Sequence, residues 1–239
     1  MMANTDLGYL LHSRPYQDSS VICDFLLEHH GRVSLLYKGV RKSGKQGAKG
    51  RLLQPFSPLA VSFEGRNELK SGRLLEAAGA PVFLVGAQLY SGLYVNELLV
   101  RLLHREEPSP PLFEYYRQVI QSLKSLQIEP VLRRFERHLL QELGYELTLQ
   151  WDVEGNSINP DMHYLYVPDQ GFSPTSSAGL NQPLRQHSFS GQHLLAIEQH
   201  DYDEPEVAKA AKRLIRLALA PHLGDKPLHS RELFKQLTP

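Results

Sequence analysis

Cysteine is almost missing from this 239-residue chain. Cys23 stands alone, so no internal disulfide can form, and a structural zinc site, which draws on several Cys or closely spaced Cys and His, is not expected. Cys23 falls in a predicted strand and reads as a buried, inert thiol. No run of about 18 consecutive apolar residues occurs, so no transmembrane helix and no membrane partner are predicted. Residues 1–15 lack the basic and apolar regions of a secretory signal, and a cytoplasmic location is expected. Charge imbalance is absent too: Lys plus Arg and Asp plus Glu both number 26. Any electrostatic footprint must therefore be local. No nucleophile elbow or other catalytic motif appears, so no catalytic residue, metal or cofactor is assigned and the chain is not read as an enzyme. What is present is an ordinary globular composition, 41% hydrophobic and 22% charged, which argues against disorder.

The first eighty residues read as short strands between turn residues. Segments 7–12, 21–27, 33–37, 58–63 and 68–76 are brief, apolar-rich and bounded by polar or Gly/Pro positions, with Gly65-Arg66-Asn67 as a tight turn. Five such strands suggest a small barrel of the OB type. After Pro81 the period becomes helical. Tyr90, Tyr94, Leu98 and Leu102 recur at i, i+4, flanked by Leu93, Val95, Leu99 and Leu103, which predicts a helix over 89–103 buried on most sides. Further helices are predicted at 112–126, 130–143, 191–198, 204–220 and 231–237. Pro221 is read as ending the helix at 204–220, and Asp203 with Glu206 as its capping box. The class is α+β, with a barrel domain at 1–80 and a mainly helical domain at 81–239. The latter carries an irregular segment at about 145–186, where Tyr164, Tyr166 and Val167 suit a short strand.

The strongest local feature runs from Gly31 to Arg51: Arg32, Lys38, Arg41, Lys42, Lys45, Lys49 and Arg51, with no acidic residue. Its composition is that of a phosphate-binding footprint, although a solvated turn would have it too. Residues 39–46 match the spacing of a nucleotide phosphate loop but place Gln46 where the magnesium-ligating hydroxyl belongs, and no helix follows. Nucleotide hydrolysis is not expected. A second feature is the stripe Lys209, Lys212, Arg213 and Arg216 at i, i+3, i+4 and i+7, either a phosphate- or partner-binding face or a solvated one. Arg133, Arg134 and Arg137, beside Leu132, suit an acidic, apolar peptide tail; intrahelical pairing of these arginines with Glu136 or Gln141 fits equally. The His29-His30 pair lacks chelating spacing.

Several segments resemble the RecO family of bacterial recombination mediators. They are Leu11-His12-Ser13-Arg14-Pro15-Tyr16, Gly31-Arg32-Val33, Lys38-Gly39 with Arg41, Gln54-Pro55-Phe56, Leu89-Tyr90-Ser91-Gly92-Leu93-Tyr94, Leu132-Arg133-Arg134-Phe135-Glu136, Leu143-Gly144-Tyr145 and Ser230-Arg231-Glu232-Leu233-Phe234. The resemblance implies an N-terminal OB-fold and a helical domain in a protein that binds single- and double-stranded DNA and anneals strands. It implies as partners the C-terminal tail of the single-strand-binding protein SSB, RecR and, indirectly, RecA. Many members carry a four-cysteine zinc site, but residues 145–186 hold no cysteine. That segment is expected to be held by packing around Trp151, Tyr164, Tyr166 and Phe172. On this reading the DNA contacts are the basic residues of 32–51, Arg66 and Arg73 on the barrel, and the Lys209 to Arg216 stripe; Leu132, Arg133, Arg134 and Arg137 take the tail. The rival readings are an adaptor that binds proteins but not DNA, and an enzyme, either a nucleotide hydrolase or a nuclease using Asp161 and Asp169.

Overall fold

A computed structural model describes residues 5–41, 49–125, 127–176 and 181–235. Five strands close a barrel: β1 (Asp6–Tyr16), β2 (Ser20–Leu27), β3 (Gly31–Tyr37), β4 (Pro58–Glu64) and β5 (Leu69–Ala77). Their order is β1-β2-β3-β5-β4. Neighbours are antiparallel except β3 and β5, which run parallel. This is the OB-type path, and closure leaves no free edge. The strand alternation turns Leu10, Phe25, Leu27, Val33, Leu35, Val61 and Leu75 into one buried core. Gly72 is required there, since a Cβ would lie 2.4 Å from the Tyr37 ring. The outer half of β1 is exposed, although Cys23, among the β2 residues it pairs with, is in the core.

The helices are α1 (Gly86–Leu102), α2 (Pro110–Ser122), α3 (Ile128–Glu142), α4 (Gln182–Gln186), α5 (Gly191–Glu198), α6 (Pro205–Leu223) and α7 (His229–Lys235). The predicted continuation of the last one to 237 lies outside the described residues. The fold is α+β, a barrel followed by helices. Its contacts divide it into two compact units, Met1–Leu126 with Pro227–Pro239, and Gln127–Lys226.

In the first unit α1 buries Tyr94, Val95, Leu98, Leu99 and Leu102. Ser109 caps α2 by accepting from the Leu112 amide at 3.2 Å, with Pro110 opening the helix. Glu97 of α1 binds the start of α7, accepting from the amides of His229 at 2.9 Å and Ser230 at 2.8 Å. A carboxylate at a helix N-terminus satisfies orphan donors and opposes the dipole.

In the second unit Leu132, Phe135, Leu139 and Leu140 of α3 are buried, as are Val207, Ala211, Leu214, Ile215 and Ala218 of α6. α3 stops at Gly144 (φ 82), where the Tyr145 amide reaches back to the Leu140 carbonyl at 2.8 Å. Two expectations for α6 are corrected. Pro205 at the first turn starts it and its N-cap, Glu204, makes no side-chain cap bond, so the Asp203–Glu206 box does not form. Pro221 does not end it either, because it falls in the last turn, where a single missing amide is tolerated until Gly224 stops the helix at φ 65.

The irregular segment holds more sheet than expected: β6 (His163–Val167) and β7 (Gly171–Thr175), joined by β8 (Ser188–Ser190) just after it, in the order β7-β6-β8. Tyr164, Tyr166, Phe172 and Phe189 are buried. Trp151 is the correction: 49% of it is exposed. Its backbone bridges Ser157 in a small hairpin closed by Ile158 N–H to the Gln150 carbonyl at 2.9 Å, which holds the indole at the surface.

Candidate nucleic-acid interface

The basic segment leaves the barrel after β3 and returns through a single 3-10 turn, Lys49–Leu52. Both stems are anchored by apolar residues. Val40 belongs to the barrel core, and Leu52 and Leu53 pack against it. A Cβ on Gly50 would stand 2.5 Å from the Val40 carbonyl oxygen, so the stems touch backbone to backbone. Lys38, Arg41, Lys49 and Arg51 are exposed. Among the described residues none of the four pairs with a carboxylate. Lys42 and Lys45, with most of the phosphate-loop-like run, lie outside the described residues.

Arg32 is differently placed. Burial pushes its pKa down, and Nη1 donates to the Val100 carbonyl at 2.7 Å while its own carbonyl accepts from the Glu106 amide. Arg66 is exposed in the β4–β5 turn. Arg73 is exposed but donates twice to Glu64, at 3.0 and 2.8 Å. Sequence reading missed the β1–β2 hairpin tip. Arg14 is exposed there and Tyr16 is 38% exposed. The tip is tied to the basic segment by Arg41, whose amide donates to the Ser19 carbonyl at 3.0 Å. The available signal was an aromatic beside a polar turn next to a basic loop.

Cys23 is buried in the barrel, and burial followed by the nearby Asp24 pushes its thiol up to about 12. It is inert at neutral pH. His29 and His30 serve the barrel as well, both donating from Nδ1 to buried Asp6, at 3.0 and 2.7 Å. Among the described residues Asp6, Glu28 and His29 bring potential ligand atoms within 4.8 Å of one another, but Asp6 already accepts from both rings and from the His29 amide.

The second unit carries the remaining candidates. α6 shows the expected stripe, with Lys209, Arg213 and Arg216 exposed and Lys212 half-buried. Its charges are largely engaged. Lys209 pairs with Glu206 at 2.8 Å, Lys212 with Glu129 at 2.7 Å, and Arg213 donates to the Ser188 carbonyl while lying 4.5 Å from the centre of the Phe189 ring. On α3, Leu132 is buried and Arg133 forms a buried pair with Glu136 at 2.9 Å, leaving Arg133 Nε and Nη1 without hydrogen-bond partners among the described residues. Arg137 closes the end of α5, donating to the Ile197 carbonyl at 2.5 Å and to Glu198 at 2.8 Å. Arg134 is the exposed member. No helix among the described residues is long and apolar enough to cross a membrane.

A closed five-stranded barrel with a cationic loop on anchored stems, followed by helices, defines an OB-like barrel protein of mixed α+β class. Comparison with known proteins narrows this. The family model "Recombination protein O N terminal" matches residues 1–79, and "Recombination protein O C terminal" matches residues 86–232. A DNA repair protein RecO of Pseudomonas aeruginosa (strain PAO1) is 44% identical over 227 residues, 95% of this chain and 92% of its own. That of Stutzerimonas stutzeri is 44% identical over 231 residues, 96% and 93% of the two chains. That of Actinobacillus pleuropneumoniae serotype 3 is 39% identical over 242 residues, 100% and 98%. The chain belongs to the RecO family of DNA repair proteins.

Proposed function

We propose that this chain is a non-catalytic recombination mediator that binds single- and double-stranded DNA and anneals complementary strands. The observation that carries the reading is the exposed cluster Lys38, Arg41, Lys49 and Arg51, unpaired with carboxylates among the described residues and rooted in the barrel core. Complementary strands resist pairing partly through phosphate repulsion. A cationic loop neutralises phosphates while leaving base edges free, and Tyr16 offers a ring for a base to stack on. Arg66 extends this surface, and Lys42 and Lys45, outside the described residues, are proposed as further phosphate contacts; Arg32 and Arg73 contribute less because each already has a partner. In this reading residues 1–80 are the strand-binding domain and 81–239 the domain that meets partners. The Lys209, Lys212, Arg213 and Arg216 stripe is a second phosphate surface, weakened by its ion pairs.

The acidic, apolar C-terminal tail of SSB is the proposed ligand of Arg134 with the adjoining Leu132, Arg133 and Arg137. RecR is a direct partner, and RecA is loaded indirectly at gaps. The reading calls on no cofactor or metal: the cysteine-free irregular segment packs around buried Tyr164, Tyr166 and Phe172, with Phe189 beside them. The test is annealing of complementary oligonucleotides coated with cognate SSB, with and without the SSB tail. Tail-dependent annealing supports the mediator reading; annealing without tail dependence displaces the SSB tail as ligand, and no annealing at all returns the chain to the role of a protein-binding adaptor.

A further inference from the structure

The unit Gln127–Lys226 contains a cleft of about 620 Å³ whose lining includes none of the residues proposed above to contact DNA or the SSB tail. It opens between the end of α3, the Trp151 hairpin, the β6–β7 turn and the last turn of α6. Three large apolar residues of its lining face water. Tyr145 is 45% exposed, Trp151 49% and Val153 47%. Tyr145 stacks on His222, with centroids 3.8 Å apart and planes 27° apart. Exposed aromatics gathered around one opening mark a binding site more often than scattered surface residues do.

The charge of the lining is one-sided. Between residues 145 and 172 stand Glu146, Asp152, Glu154, Asp161 and Asp169, with no Lys or Arg, in a chain whose net charge is zero. Three of these, Glu146, Asp152 and Asp169, line the cleft. Asp152 is spent on its own turn, accepting from the amides of Glu154 and Asn156 at 2.9 Å each. Among the described residues neither Glu146 nor Asp169 is held in an ion pair. The site thus offers aromatic faces beside two carboxylates and excludes phosphate by repulsion.

We propose that this cleft docks an arginine-bearing segment of a partner protein. A guanidinium stacks on the indole of Trp151 or the ring of Tyr145, and its edge donates to Glu146 or Asp169. Arginine fits better than lysine because its plane stacks on aromatic faces and its weaker hydration lowers the cost of entry. Nucleic acid could use the same rings, but its phosphates would meet the carboxylates.

Trp151 is the only tryptophan of the chain, so its emission reports occupancy directly. The full chain is titrated with acetyl-Gly-Arg-Gly-Arg-Gly-amide, with the same peptide carrying Glu for Arg, and with oligo-dT. The expected result is a saturable emission change with the Arg peptide alone, and roughly tenfold weaker binding in the Glu146→Gln, Asp169→Asn double variant. Asn suits position 169, whose φ is 61. No saturable response of the unaltered chain to the Arg peptide, equal binding by the double variant, or a stronger response to oligo-dT would each overturn the proposal. DNA annealing is read separately, so failure here leaves the mediator reading standing.

Discussion

The Tyr116 hydroxyl donates to Asn96 Oδ1 at 2.9 Å in a place where both side chains are buried. The other end of the same amide donates to the carbonyls of Leu10 and Leu11 at 3.3 and 3.2 Å. Those carbonyls sit where the β1–β2 register shifts, between Leu10 and His12. A bulge interrupts the ladder and leaves backbone acceptors in need of donors. Asn96, a polar residue on an otherwise apolar helix face, supplies them.

Replacing Asn96 by Leu removes every one of these partners at once and leaves two carbonyls and a phenol buried. Stability should fall by about 2–4 kcal/mol, against about 1 for Tyr116→Phe, which removes a single donor. Urea unfolding midpoints at a common slope measure both. Equal midpoints for Asn96→Leu and the unaltered chain would mean that the bulge is satisfied otherwise.

The arginines of α3 should separate by role. Arg137→Ala uncovers the end of α5 and should cost about 1–3 kcal/mol, because charge-assisted bonds to Glu198 and the Ile197 carbonyl disappear. Arg134→Ala touches an exposed position and should leave stability within about 0.5 kcal/mol. It should nevertheless weaken binding of an SSB tail peptide, measured by fluorescence anisotropy. Unchanged tail affinity in Arg134→Ala would move the tail site away from α3.

Much of the fold is legible in the sequence because two periods dominate it. Alternation with turn residues marks five barrel strands, and i, i+4 apolar series mark α1, α3 and α6. β1 extends beyond the predicted residue 12 because His12 to Tyr16 are exposed hairpin residues, and such residues carry no apolar alternation. β7 has no clear signature since Gly171 and Pro174 break a five-residue strand by composition. The position of a charge is legible, whereas its partner is not. Spacing alone does not reveal that Arg32 serves the Val100 carbonyl or that Arg137 serves α5, both distant in sequence. Trp151 misleads for the opposite reason: its size suggests the core, but hairpin bonds hold its backbone at the surface.

The His29 pKa lies above its usual 6.5, first through its hydrogen bond to Asp6 and then through that carboxylate's charge. A folded pKa above the unfolded one means stabilisation fully present below pH 6.5 and lost as pH rises through the folded value. Because His200 is shifted down and works in the opposite sense, the contribution is read as a difference. The gap in urea midpoint between the unaltered chain and His29→Gln should be largest in mild acid and shrink toward alkaline pH. A gap independent of pH would mean that the ring is held by shape rather than charge.

The loop between β3 and the 3-10 turn should bind phosphate, and the mediator role depends on it. The measurement is the affinity for a fluorescent oligo-dT across a salt series, comparing the unaltered chain with Lys38, Arg41, Lys49 and Arg51 all changed to Ala. The logarithm of affinity should fall steeply with the logarithm of salt. The variant should bind more weakly, with a slope shallower by about 0.7 for each phosphate that it no longer neutralises. An unchanged slope and affinity in the variant would contradict phosphate binding by this loop and place the DNA-binding surface elsewhere on the chain.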